Sequence, residues 1–139
     1  MALSASSLKR GLSHTVDLVH DLKRTQIVQY AGASGDFNPF HTDEIYATQV
    51  SGYKTVFAHG MLVMGITGKM LTDYVGDGRL TKYGVRFTRQ VWPGDDLKAT
   101  ATVTRLFDSN ERKLADFDIV TINQKGEIVL TGYAQAEVD

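Results

Sequence analysis

The chain has 139 residues, of which 42% are hydrophobic and 22% charged, and its 15 Lys and Arg against 16 Asp and Glu leave a net charge of −1. This is the composition of one soluble globular domain with room for a real core, and it excludes a largely disordered chain. Near-neutral charge without a basic block leaves no electrostatic footprint for nucleic acid or an anionic membrane, and the lack of cysteine excludes disulfides, thiolate metal sites and a cysteine nucleophile.

Residues 1 to about 8 are small and polar and are expected to form a loosely held tail of a single domain spanning 1–139. The opening MALSASSLKRG has neither the apolar core of a secretory signal nor the basic content of a transit peptide, so a cytoplasmic protein is expected. His14 to Leu22 alternates in part and predicts a first strand, with Val19 and Leu22 out of phase. Thr25 offers an N-cap for a short helix from Gln26 to Ala33, closed by Gly32 and Gly35. Ser34 to His41 has the composition of a loop, because Asn38-Pro39 disfavours helical backbone at Asn38. A second short helix is predicted from Thr42 to about Gln49, with Asp43 and Glu44 at its positive end.

After a connector, Tyr53 to Ala58, the pattern predicts a long helix from Gly60 to Val75, apolar around most of its circumference and so buried nearly all round. Gly65 and Gly68 within it imply close approach by a neighbouring backbone or ligand. The longest uncharged apolar run, 56–68, contains His59 and stops at Lys69, short of a membrane span. The period then changes: Leu80 to Trp92, Leu97 to Phe107, Leu114 to Asn123 and Ile128 to Val138 read as strands joined by turns. Four such strands imply an antiparallel meander that curls around the helix, an α+β arrangement.

The chemistry concentrates in YAGASGDFNPFH, residues 30–41, where Asp36 and His41 stand five apart on constrained backbone. A rigid loop is a good place to hold a carboxylate and an imidazole against one substrate. The helix that follows opens with His59-Gly60, whose free N–H groups at a positive helix end suit an oxyanion. As a metal site, Asp36, His41 and His59 fit no tight ligand spacing, and His59 reads instead as capping or orienting the helix start. Gly32-Ala33-Ser34-Gly35 lacks the Gly-Lys-Ser/Thr ending of a phosphate loop. Met61, Met64 and Met70 suit an adaptable acyl pocket or, for at least two of them, core packing. Lys54, Lys82, Arg86 and Arg89 are candidates for coenzyme A phosphates, each also an ordinary solvated charge, and His14 and His20 read as surface or partner-facing.

The segment Tyr30 to His41, with its S-G-D-x-N-P-x-H core, resembles the hydratase motif of the MaoC-like (R)-specific enoyl-CoA hydratases and (3R)-hydroxyacyl-thioester dehydratases. Ala58-His59-Gly60-Met61-Leu62 resembles the start of that family's central helix, and Val85-Arg86-Phe87 and Val91-Trp92-Pro93-Gly94-Asp95 resemble its sheet segments in the same order. The resemblance covers about Tyr30 to Val138. It implies a hotdog fold, a long central helix wrapped by a curved antiparallel sheet, paired as a homodimer with sheets joined edge to edge. It also implies that Asp36 and His41 activate the water that adds across a trans-2-enoyl thioester, that the Gly60 N–H binds the thioester oxygen, and that Asn38 supports the pair. His59, Phe40 and Met61 are expected on the substrate side of the site. Phe40 stands where a smaller aliphatic residue is usual and would reshape the pocket beside the dyad.

The thioester carries the activation, so the implied reaction requires no metal or redox cofactor. The implied partner is an acyl thioester of coenzyme A or acyl carrier protein, with no nucleic acid and no membrane. A hotdog thioesterase, a subunit that stabilises a partner, and an acyl-CoA-binding module without turnover are the rival readings.

Overall fold

The computed structural model describes residues 2–139. Its elements in chain order are β1 (Ser13–Val19), α1 (Arg24–Ser34), a short turn of helix α2 (Pro39–Thr42), a π-helical turn (Tyr46–Val50), α3 (Gly60–Val75), β2 (Leu80–Phe87), β3 (Leu97–Ser109), β4 (Arg112–Ile122) and β5 (Ile128–Val138). All five strands form one antiparallel sheet in the order β1-β3-β4-β5-β2, and α3 packs against β1, β2, β3 and β5. The expected α+β architecture, a long helix held by an antiparallel sheet, is what forms.

The face of the sheet toward α3 is built from small side chains. Ala99 and Ala101 on β3, Ala115 on β4, and Ala134 and Ala136 on β5 are each at most 1% exposed, interleaved with Val103, Phe117, Ile119 and Leu130. Alternation along the strands puts these residues on one side, and the alanines let the helix lie close. From α3 they meet Leu62, Val63, Met70, Leu71 and Val75. At Gly68 the approach is tight: a Cβ there would lie 3.1 Å from the Tyr83 ring, whose hydroxyl donates to the Met64 carbonyl at 2.7 Å. Burial pushes the Tyr83 phenol well above its ordinary value.

Several expectations are corrected. The four-strand meander is only three strands long, because β2 pairs with β5 and the chain crosses from one sheet edge back to β3. β2 also ends at Phe87 rather than Trp92, since 88–96 is the crossing segment, with its turn at Pro93-Gly94. α3 is not buried all round: Met61 is 56% exposed, and Gly65 and Lys69 share its outer face, where Gly65 has no neighbour near its missing Cβ. The tail is docked from Leu3 onward. Leu3 N–H donates to the Val75 carbonyl, the Leu3 carbonyl accepts from Asp139 N–H, Ala5 N–H donates to the Asp139 carbonyl, and Leu8 is in the core. Met1 lies outside the described residues.

Smaller corrections have local causes. α1 starts at Arg24 with Lys23 as its cap residue and no side-chain cap bond, so Thr25 is inside the helix. Residues 39–41, expected as loop, form a helical turn together with Thr42, and Asp43 rather than Thr42 precedes the next one, its carboxylate accepting the Tyr46 N–H at 3.1 Å. His14 is half-buried and stacked on Tyr74 at 3.9 Å, because the inward phase of β1 includes it; a bulge between Asp17 and Val19 explains why Val19 breaks that phase.

Candidate active site

Three segments distant in sequence meet at the start of α3. The first leaves α1 through Gly35, whose left-handed backbone (φ 76°) reverses the chain while its N–H returns to the Ala31 carbonyl at 2.9 Å. Glycine takes this conformation without a Cβ penalty. The loop then closes on itself. Asp36 N–H donates to Ser34 Oγ (3.1 Å), Asn38 N–H donates to Asp36 Oδ1 (3.2 Å), and Phe40 N–H donates to Asn38 Oδ1 (3.0 Å). Asn38 therefore caps α2 with its side chain and meets Asp36 through its backbone.

His41 hangs from that capped turn. Its Nδ1 lies 2.6 Å from the Phe57 carbonyl, which can only accept, so Nδ1 carries the proton and the neutral ring presents its free lone pair at Nε2. Phe57 N–H in turn donates to the Phe40 carbonyl at 3.2 Å, clamping the connector beside the histidine. Burial holds the His41 imidazole below its ordinary value of 6.5; the Phe57 bond opposes this, His59 adds to it and Asp36 opposes it. The form present at neutral pH is thus the neutral one, ready to accept a proton.

The second contributor is the helix start. As the first residue of α3, Gly60 has no intrahelical acceptor for its N–H, which sits at the positive helix end. Beside it is a cavity of about 320 Å³ whose walls include Phe57, Gly60, Val63, Phe87 and Val129. A Cβ on Gly60 would lie 2.9 Å from the Phe87 ring, so the missing side chain is what lets this wall close on the helix start.

His59 is 1% exposed. It makes no side-chain cap bond to α3, contrary to the capping role expected; its Nε2 lies 2.9 Å from the Asp36 carbonyl, and its ring stacks on His41 at 4.0 Å and 26°. A carboxylate oxygen of Asp36 and one ring nitrogen from each histidine all fall within 4.8 Å of one another, closer than the sequence spacing suggested. His41 Nδ1 and His59 Nε2 each donate to a backbone carbonyl, which leaves His41 Nε2 and the buried His59 Nδ1 as the ring lone pairs of the group. Of these, His41 Nε2 can share a water or substrate with the exposed Asp36 carboxylate.

The remaining expected residues divide. Phe40 is half-buried in an aromatic group with Tyr46, Tyr53 and Phe57 at 5.6, 5.8 and 5.9 Å, so it packs behind the dyad. Met61 points largely to solvent, Met64 is half-buried and Met70 is in the core. Arg89 borders the cavity but is paired with Glu127 at 2.9 Å, Lys54 sits over the Trp92 ring at 4.5 Å, and Lys82 and Arg86 are exposed on β2. Phe57, Phe87 and Val129 were not singled out from sequence as site residues. Phe57 acts on His41 through its carbonyl, a group every residue carries, so nothing in the side-chain pattern marks it.

The MaoC like domain family model matches residues 6–124. The chain is 35% identical over 133 residues to the (R)-specific enoyl-CoA hydratase of Rhodospirillum rubrum, covering 94% of this chain and 88% of that one. It is 39% identical over 67 residues to 3-hydroxyacyl-thioester dehydratase Y of Mycobacterium tuberculosis, a match covering 46% of this chain and only 23% of that protein. Among solved structures, the (R)-hydratase from Aeromonas caviae involved in PHA biosynthesis superposes with a TM-score of 0.83 at 25% identity, covering 97% of this chain and all of that one. The sheet wrapped on α3 is the hotdog fold, and the chain belongs to the MaoC like domain family.

Proposed function

We propose that the protein is a hydro-lyase that adds water to a trans-2-enoyl-CoA to give the (3R)-hydroxyacyl-CoA, and catalyses the reverse dehydration. The observation that carries this reading is the meeting of Asp36 and His41 with the helix end at Gly60. In the forward direction a water between the Asp36 carboxylate and His41 Nε2 loses a proton to the pair as its oxygen bonds to C3. The C2–C3 π electrons shift toward the thioester, whose oxygen becomes enolate-like and is held by the Gly60 N–H, and C2 then takes a proton returned by the pair. The free lone pair and favoured neutral form of His41 support it as the acceptor. An acid or base so placed contributes roughly 10²- to 10⁴-fold and an oxyanion donor on the order of 10²- to 10³-fold. Asn38 serves by holding α2 and the loop, and Phe40 by backing Phe57.

The proposal treats the chain as one catalytic domain acting in the cytoplasm as a homodimer. Among the described residues no helix is long and apolar enough to cross a membrane. β2 lies at a sheet edge, with one side of its backbone open to a second β2. Exposed Phe37, next to Asp36, and Met61, next to Gly60, at 64 and 56%, give apolar surface at the same helix start. A second reading takes a carrier-protein thioester as substrate, favoured by the match to a 3-hydroxyacyl-thioester dehydratase.

Hydration of crotonyl-CoA by wild type, Asp36→Asn and His41→Asn tests the dyad. Losses of about 10²-fold or more are expected in both variants, and undiminished activity in either removes the assignment. Rates on coenzyme A and carrier-protein thioesters of equal chain length separate the two substrates.

A further inference from the structure

We infer that His59 is a positioning residue of this site: its imidazole ties the Asp36 loop to the start of α3 and forms the surface against which His41 is held. This rests on the hydro-lyase reading above and deepens it. A side chain 1% exposed has almost no surface to offer a substrate, and it makes no cap bond to its own helix. What it touches are the other parts of the site. Nε2–H donates to the Asp36 carbonyl at 2.9 Å, the ring face stacks on His41 at 4.0 Å, and its edge contact with Tyr30 on α1 is at 4.8 Å. Its own backbone leads directly into the Gly60 N–H. One residue therefore joins the carboxylate loop, the imidazole and the oxyanion donor.

The arrangement carries a local cost. His59 Nδ1 is buried without a hydrogen-bond partner, and an unpaired buried acceptor is unfavourable. An apolar side chain of similar volume would avoid that cost while filling the same space. The use of an imidazole here lies in its Nε2–H and its ring face. Both bear on precision, since the other hydrogen bonds of exposed Asp36 are all to its own loop, at Ser34 and Asn38. Displacement of a catalytic group by about 1 Å is enough to cost on the order of 10²-fold in rate.

Glutamine and asparagine at position 59 test this directly. A Gln amide N–H reaches about as far as imidazole Nε2 and restores the bond to the Asp36 carbonyl; Asn is too short, and Phe keeps a stacked ring without the donor. On crotonyl-CoA, His59→Gln is expected to keep kcat within about fivefold, while His59→Asn and His59→Phe lose on the order of 10²-fold in kcat with KM nearly constant. Thermal melts establish that the variants fold. Wild-type kcat in His59→Phe, or equal losses in the Gln and Asn variants, overturns the inference. If the Asn and Phe variants do not fold, His59→Gln decides alone: a folded Gln variant that loses on the order of 10²-fold in kcat overturns the inference. Wild-type activity in Asp36→Asn and His41→Asn instead overturns the hydro-lyase reading itself.

Discussion

Residues 34–42 close on themselves through side-chain-to-backbone hydrogen bonds, most between exposed groups, whereas β3, β4 and β5 share a concave face of Ala99, Ala101, Val103, Ala115, Phe117, Ile119, Ala134 and Ala136 that is almost wholly out of water. The loop holds polar atoms in place and buries little. The sheet buries much and exposes no chemistry. Apolar burial dominates folding free energy while single exposed hydrogen bonds contribute little, so stability should reside mainly in the sheet and catalysis in the loop. Substitutions in the two regions should therefore move different measurements.

The largest effect is expected from Phe117→Ala. Phe117 is 1% exposed on β4 and meets Tyr74 of α3 at 6.0 Å, so truncation should cost about 3–5 kcal/mol in denaturant unfolding. Activity per folded molecule should survive where the variant is still folded. Thr67→Val is next. Thr67 and Thr121 are both fully buried and share a hydroxyl hydrogen bond of 2.9 Å. The single change strands one hydroxyl at a cost of about 1–3 kcal/mol, while Thr67→Val with Thr121→Val should recover most of it. An additive double variant would show that the pair is not coupled.

Asn38→Ala brings the loop into the same comparison. Losing the α2 cap should cost about 1 kcal/mol or less of global stability, yet lower kcat by roughly tenfold, because His41 hangs from that turn. A stability loss without a rate loss would erase the contrast between the regions. The smallest effect is in pH. Burial lowers the His41 value from 6.5, and a base must be neutral, so kcat/KM should be flat through neutrality and fall only below pH 6.5. The unfolded chain protonates this imidazole first as pH falls, so the native state binds fewer protons and stability declines with acidification between 6.5 and the lower folded value. An acid limb above 6.5 would contradict the burial argument.

Some of this was legible in the residues. The bounds of α3 follow from a largely apolar pattern between Gly60 and Val75, ended by Gly76 and Gly78 with positive φ. Gly35, Asn38 and Pro39 act through their own backbone preferences, so the loop was legible too, although its last residues wind into a helical turn that Asn38 caps. The place of β2 was not. Alternation identifies a strand and says nothing about its partner, and short connections favoured β3 over β5. The outer face of α3 was likewise hidden, because Met61 is apolar in sequence and exposed in the fold.

By itself the sequence determined the parts: a constrained loop with Asp36 and His41, an apolar helix opening at Gly60, and strands with one small-residue face. These rest on φ preferences, periodicity and capping, all properties of residues close together in the chain. Only the tertiary structure decided that Phe57 holds His41 by a carbonyl, that His59 reaches back across 23 residues to the Asp36 carbonyl, and that Phe87 closes over Gly60. Main-chain acceptors and ring faces are common to many residues, so which of them meet is set by how the chain packs.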